Sequence, residues 1–102
     1  MNEQPGISDK AYAVVGGTSG LGLSAARALV NHGARVAVCG RSEVRLAQAL
    51  EMLGENAVGQ KVDAAAKGAV DQFLEFACGE IGDLEGLYHV AGGSGRSAGR
   101  TQ

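Results

Sequence analysis

The sequence predicts an α/β fold in which a parallel β-sheet carries helices on both faces, as in the first half of a doubly wound sheet. Four short apolar segments of strand length alternate with three amphipathic segments of helix length. Glycine, which makes up 17 of the 102 residues, stands at nearly every junction between them. Helical crossovers join parallel strands with right-handed connections, so the order β-α-β-α-β-α-β predicts the strand order 3-2-1-4.

The first strand and helix are predicted within residues 11–33. Ala11 to Val15 is a short apolar run that ends at two glycines, which is typical of a buried strand. Gly33 marks the end of the following helix. Apolar residues and one histidine recur at helical spacing, and they predict that the buried face of this helix consists of Leu21, Ala25, Ala28, Leu29 and His32.

The second strand is predicted over residues 35–39, where every residue after the first is small or apolar. Ser42 is a favourable N-cap for the next helix. Gly54 ends that helix. Its buried face is predicted from the apolar spacing as Leu46, Ala49, Leu50 and Leu53.

The remaining elements follow the same alternation. A weaker third strand covers residues 57–62 and is interrupted by Gly59, and the fourth strand covers residues 84–90. The third helix has an apolar face of Val70, Phe73, Leu74, Ala77 and Ile81. We therefore expect a flexible lead-in over residues 1–10, one domain over 11–93, and a disordered Gly/Ser/Arg tail over 94–102.

Composition excludes several classes of protein. No apolar run approaches the roughly 20 residues of a membrane span, and residues 1–10 lack the apolar core of a signal peptide. Two cysteines are too few for a disulfide framework or a Cys-rich zinc site, so no metal is expected and a reducing, cytoplasmic compartment is the default expectation. The net charge of −2 and the four aromatic residues argue against a nucleic-acid or anionic-membrane partner.

The most informative segment is the glycine-rich turn between the first strand and the first helix. Its glycines have the spacing G-x-x-x-G-x-G. The first permits a tight turn, the second lets a pyrophosphate approach the backbone, and the third lets the helix pack close to the sheet. The N-terminus of a helix also presents unpaired N–H groups to phosphates, and hydroxyl groups add donors. This placement favours a dinucleotide site over a plain flexible turn, with candidate contacts at Gly16, Thr18, Ser19, Gly20, Leu21 and Gly22.

With this turn in this position, residues 10–95 resemble the N-terminal half of the short-chain dehydrogenase/reductase family. Gly40-Arg41-Ser42 resembles the region with which the family binds the adenosine ribose. Asp63, followed by Ala64, matches the family's adenine-contacting aspartate. Residues 89–92 are His-Val-Ala-Gly where the family usually has Asn-Asn-Ala-Gly, so both asparagines are replaced.

The resemblance implies a partial Rossmann fold that binds a nicotinamide dinucleotide, with further contacts from Val90, Ala91 and Gly92 at the end of the fourth strand. It also implies an NAD(P)-dependent oxidoreductase that moves a hydride between the nicotinamide and a small carbonyl or alcohol substrate.

The segment after the second strand bears on the choice of cofactor. Sites for NAD place an Asp or Glu there to hold the ribose hydroxyls, and this chain has Arg41 and Ser42 instead. A guanidinium can bind a phosphate bidentately, so the sequence favours NADP(H), with NAD(H) possible. The alternative is that Arg41 is a solvated loop residue.

Five other residues have a structural interpretation beside any functional one. Asp63 can be the N-cap of the third helix, and both cysteines, Cys39 and Cys78, can be small buried apolar residues. His32 suits the end of a helix. His89 can contact the nicotinamide ribose or can be a hydrogen-bonded histidine of the core.

The catalytic residues implied by the resemblance are not found in this sequence. In the family a Tyr acts as acid and base, and a Lys four residues later lowers its pKa. Tyr12 and Tyr88 are both followed four residues later by glycine, and both are predicted to lie in strands and in the core. We therefore expect the chain to be a cofactor-binding fragment, a truncated frame or half of a split protein, and to be inactive alone. The alternatives are a non-catalytic dinucleotide-binding or regulatory module and a structural fragment without a ligand, and self-association is expected through the apolar edge of the fourth strand.

Overall fold

The computed structural model describes residues 9–16, 18 and 20–90. Its four strands form one parallel sheet in the order β3-β2-β1-β4, which confirms the predicted fold class and strand order. In chain order the elements are β1 (Ala11–Val15), α1 (Gly20–Asn31), β2 (Arg35–Gly40), α2 (Glu43–Leu53), β3 (Ala57–Lys61), α3 (Ala69–Ile81) and β4 (Leu84–His89). No helix in this part of the chain is long and apolar enough to cross a membrane.

Two hydrophobic cores lie on opposite faces of the sheet. Ala13 and Val15 of β1 pack with Phe73 of α3 on one face. Val14 of the same strand packs with Ala26 of α1 and Leu46 of α2 on the other face. Because successive side chains of a strand point to opposite faces, a strand covered on both sides must be apolar at every position. This requirement explains the uninterrupted apolar runs of β1 and β2.

The buried face of α1 differs from the predicted one. The structure buries Gly22, Ala26 and Leu29, whereas Leu21 is 78% exposed and Ala28 and His32 are also exposed. The prediction placed the start of the face at Leu21, but the buried face begins one residue later and runs through Gly22, Ala26 and Leu29; Gly22 is buried, as the glycine spacing predicted. His32 does lie at the helix end as predicted, and its Nδ1 donates to the Ala28 carbonyl at 2.9 Å.

The ends of α2 and α3 give one confirmed prediction and one error. Ser42 caps α2, since its Oγ accepts a hydrogen bond from the Arg45 amide at 3.2 Å. Asp63 is not the N-cap of α3, which begins at Ala69 after Gly68. Instead the Asp63 carboxylate accepts from the Ala65 amide at 3.0 Å and closes a local turn. Because the Asp63 carboxylate bonds to the amide two residues later in this turn, it does not cap α3, which begins further along the chain.

The outer strand β4 pairs only with β1, and its side chains are correspondingly open. Leu87 and Tyr88 are 47% and 45% exposed, so the prediction of a core tyrosine is wrong for Tyr88. Tyr12 of β1 is half-buried, and its ring meets that of Tyr88 edge to face with centroids 6.4 Å apart. Cys78 is also exposed, contrary to expectation, because it lies on the outer side of α3.

Candidate functional site

An open cleft of about 1040 Å³ lies at the carboxyl ends of the strands, where β1 turns into α1 and β2 turns into α2. Open parallel sheets bind ligands at this edge, at the point where the strand order reverses. The described residues that line the cleft and were predicted from the sequence are Gly16, Thr18, Gly20, Leu21, Arg41, Ser42, Asp63, Ala64 and Val90. Gly22 is buried beneath the turn, and Ser19, Ala91 and Gly92 lie outside the described residues.

The glycine turn has the backbone conformation that requires glycine. Gly16 has a φ of +86°, and its amide donates to the Cys39 carbonyl at 3.1 Å. A Cβ at Gly16 would lie 2.6 Å from the carbonyl oxygen of Val90. Gly20 has a φ of +59°, but a Cβ there would meet no atom within 4 Å. The first glycine is therefore closed in by protein, whereas the second faces open space in the cleft.

Thr18 and Gly40 form a contact that the sequence did not predict. A Cβ at Gly40 would lie 2.7 Å from both Oγ1 and Cγ2 of Thr18. Because Gly40 has no side chain, the side chain of Thr18 can lie directly against the end of β2. The sequence indicated Gly40 as the end of the second strand and as part of the Gly40-Arg41-Ser42 segment, but not as a contact of Thr18.

Two guanidinium groups stand at the α2 side of the cleft. Arg41 and Arg45 are both exposed and both line it, with Ser42 between them at the N-cap. Among the described residues, neither guanidinium has a carboxylate within 4.0 Å. The ion pair found in this part of the chain, Lys10–Glu85, lies at the amino ends of the strands, away from the cleft. Sequence reasoning missed Arg45, although its spacing of four from Arg41 at a helix start was a usable signal.

The residues that follow β3 form another wall of the cleft, next to the end of β2. The Val62 amide donates to the Gly40 carbonyl at 2.8 Å and extends the strand pairing by one bond. Asp63 follows, and it is the only acidic residue among the described residues that line the cleft. The cleft therefore carries two guanidinium groups at the start of α2 and one carboxylate after the neighbouring strand β3.

The end of β4 closes the cleft beside the glycine turn. The Val90 amide donates to the Val15 carbonyl at 2.9 Å, and His89 pairs in register with Val15. His89 is exposed and lines the cleft, so its interpretation as a core histidine is wrong. The reason is that β4 has no neighbour on its outer side in the described sheet.

Cys39 lies at the base of the cleft as the buried small residue that the sequence predicted. Burial raises the pKa of its thiol, and a backbone hydrogen bond from Gly16 only partly offsets that effect. The thiol is therefore protonated at neutral pH and is no nucleophile. The part of the chain that the structure describes also contains no cluster of three or more potential metal ligands.

Comparison with known proteins places these features in a family context. Residues 10–101 match the family model described as short chain dehydrogenase. The chain is 35% identical to ipsdienol dehydrogenase of Ips pini over 86 residues. This aligned segment covers 84% of this chain and 32% of that protein. It is 34% identical over 86 residues to the uncharacterized oxidoreductase DltE of Bacillus subtilis, covering 84% of this chain and 34% of that protein.

Solved structures agree with this comparison. A short-chain type dehydrogenase/reductase from Mycobacterium ulcerans superposes with a TM-score of 0.79 at 32% identity, over 87% of this chain and 34% of that one. A 3-ketoacyl-(acyl-carrier-protein) reductase from Brucella melitensis, complexed with NADH, has the same fold, with a TM-score of 0.74 at 23% identity over 79% of this chain and 34% of that one. The chain thus spans about a third of the length of these relatives.

Proposed function

The chain belongs to the short chain dehydrogenase family, and we propose that it forms the dinucleotide-binding part of an NAD(P)(H)-dependent oxidoreductase. The observation that carries this proposal is the cleft lined by the glycine turn and by two guanidinium groups that have no carboxylate partner among the described residues. The space above Gly20 accepts a pyrophosphate against the backbone and the N-terminus of α1. The Brucella melitensis reductase of the same fold is described as complexed with NADH.

The α2 side of the cleft supports NADP(H) as the favoured cofactor. An acid at the end of β2 would hold the ribose hydroxyls of NAD(H), but Arg41 stands there, and Arg45 lies one helical turn onward. Two guanidinium groups and the Ser42 hydroxyl supply the donors that a 2′-phosphate needs. Asp63, after the neighbouring strand β3, suits the exocyclic amine of an adenine because a carboxylate accepts hydrogen bonds.

We expect the chain to bind NADPH at least about tenfold more tightly than NADH, since charged hydrogen bonds contribute about 1.5–3 kcal/mol. Arg41→Asp is expected to reverse this order, because it removes a phosphate partner and adds an acceptor for ribose hydroxyls. Calorimetric titration with both cofactors measures the ratio. Arg27→Asp, on the exposed side of α1, makes the same change of charge outside the cleft and is the control.

Arg45→Gln tests the second guanidinium in the same titration. It is expected to weaken NADPH binding and to leave NADH binding unchanged. Equal affinities for the two cofactors, before and after the change at Arg41, would contradict the proposal of NADP(H). If neither NADPH nor NADH binds, the proposal of a dinucleotide site is contradicted.

For a complete protein we propose hydride transfer between the nicotinamide and a small carbonyl or alcohol. The 102-residue sequence holds no Tyr-x-x-x-Lys pair, so we propose that it binds the dinucleotide without turning over a substrate. The same observation favours a second candidate, a non-catalytic dinucleotide-binding module. NADPH oxidation by a longer form of the protein distinguishes the enzyme from the module.

We also propose that the 102-residue chain self-associates through β4. Leu87 and Tyr88 are nearly half exposed on opposite faces of an edge strand, and such an edge pairs readily with another chain. Leu87→Lys is expected to shift the mass measured by size-exclusion chromatography with light scattering from dimer or larger to monomer. Met52→Lys, at a residue of α2 with similar exposure, is the control and is expected to leave the mass unchanged. A monomeric unsubstituted chain would contradict this proposal.

A further inference from the structure

Gly40, the last residue of β2, is a glycine that the backbone conformation does not require. Its φ is not among the positive values that favour glycine elsewhere in the described residues, so its backbone would accept a larger residue. The restriction is one of space. A Cβ at residue 40 would lie 2.7 Å from both Oγ1 and Cγ2 of Thr18 and 3.3 Å from the Thr18 Cβ. The glycine therefore makes room for one particular side chain of the glycine turn.

Hydrogen bonds on both sides hold the end of β2 in place. The Cys39 carbonyl accepts from the Gly16 amide at 3.1 Å. The Gly40 carbonyl accepts from the Val62 amide at 2.8 Å, and β2 is paired with β3 up to this residue. Because the strand end is fixed, a side chain added at residue 40 must displace Thr18.

Rotation of the Thr18 side chain does not relieve the overlap. Threonine fills two of the three staggered positions around its Cα–Cβ bond with heavy atoms. Both of these atoms now face Gly40, so rotation to another staggered position still leaves one of them on that side, and Cβ stays where it is. The backbone at Thr18 must therefore shift away from β2, at the cleft that both residues line.

We propose that Gly40 is a positioning residue that acts through Thr18, holding the glycine turn close against β2 in the shape that binds the pyrophosphate, an inference that rests on the proposed function. Gly40→Ala is expected to weaken the binding of NADPH and of NADH by a similar factor of about ten or more, the contribution of one hydrogen bond to a charged group. The ratio of the two affinities is expected to stay the same, because the added methyl group contacts Thr18 and leaves Arg41 at the start of α2.

Two variants of Thr18 separate the packing of its side chain from its hydroxyl group. Thr18→Val loses the hydroxyl but keeps two heavy atoms on Cβ, whereas Thr18→Ala loses the hydroxyl and both atoms. In the Thr18→Val background, Gly40→Ala is expected to weaken NADPH binding about tenfold. In the Thr18→Ala background, where only the 3.3 Å contact with Cβ remains, the effect is expected to be less than about twofold. Calorimetric titration with NADPH measures these affinities.

Gly59→Ala is the matched control. Gly59 lies in the neighbouring strand β3 without a positive φ, and a Cβ there would lie 2.7 Å from Cδ1 of Leu46, but the residue does not line the cleft. It is expected to lower the temperature of thermal unfolding and to leave the NADPH affinity unchanged. If Gly40→Ala does not fold, it is measured together with Thr18→Ser, which keeps one heavy atom on Cβ, and this pair is expected to bind NADPH more weakly than Thr18→Ser alone.

Four outcomes would overturn the inference. They are an unchanged NADPH affinity in Gly40→Ala, an equal effect of Gly40→Ala in the Thr18→Val and Thr18→Ala backgrounds, a changed ratio of NADPH to NADH affinity, and no loss when Gly40→Ala is added to Thr18→Ser. In each case the unsubstituted chain still binds NADPH, so the dinucleotide site stands. If the unsubstituted chain binds neither cofactor, the proposed function fails as well.

Discussion

Gly20→Val is expected to abolish dinucleotide binding while the chain remains folded. A Cβ at this position meets no protein atom within 4 Å, so the added isopropyl group projects into the cleft and occupies the approach path of the pyrophosphate. The positive φ of +59° costs an L-residue about 1–2 kcal/mol. The measurement is calorimetric titration with NADPH, together with thermal unfolding.

Gly54→Val is the matched control for this change. Gly54 also has a positive φ, +85°, and faces open space, but it ends α2 and does not line the cleft; its ψ of −158° makes its loss of stability at least as large as that of Gly20→Val. Gly54→Val is therefore expected to lose at least as much stability as Gly20→Val, while only Gly20→Val loses NADPH binding. Unchanged affinity in Gly20→Val would mean that the phosphates bind elsewhere.

Gly16→Ala is expected to have the largest effect on folding among single methyl additions in the glycine turn. The new Cβ would stand 2.6 Å from the Val90 carbonyl oxygen, so the backbone of β4 or of the turn itself must move. The residue also has a φ of +86°. We expect the free energy of unfolding to fall by more than about 3 kcal/mol, because strain and steric overlap act together at one site.

Urea denaturation followed by circular dichroism measures this loss, with Gly20→Ala as the comparison. Gly20 also has a positive φ, but a Cβ there overlaps no protein atom. The free energy of unfolding of Gly20→Ala is therefore expected to fall by only about 1–2 kcal/mol. Equal losses in the two variants would show that the contact with Val90 does not constrain the turn.

The order of elements and the sheet topology were predictable because they depend on spacing alone. Apolar runs separated by helix-length segments permit few topologies once right-handed crossovers are required. The cap at Ser42 and the helix stop at Gly54 were predictable for a similar reason, since each depends on its immediate neighbours.

Errors arose where the outcome depended on packing between distant segments. The buried face of α1 begins at Gly22, as the glycine spacing allowed, and not at Leu21, from which the apolar spacing was counted. His89 and Tyr88 were expected in the core, but burial at β4 depends on what covers the sheet edge. Thr18 over Gly40 is a contact between separate turns that no local pattern indicates, whereas the spacing of Arg45 from Arg41 was a local signal that the sequence reasoning missed.

The pairing of β4 with β1 has a consequence for the order in which the chain folds. β1 is the first strand in sequence and β4 the last, so their pairing closes the longest loop in the sheet and carries the greatest entropic cost. Contacts of such long sequence separation slow folding. Because Val90 bonds to Val15 and lies against Gly16, the glycine turn gains its contacts with β4 only when this pairing forms. If the turn binds the dinucleotide as proposed, the ligand is expected to bind only chains in which β4 has paired with β1, and so to stabilise this pairing.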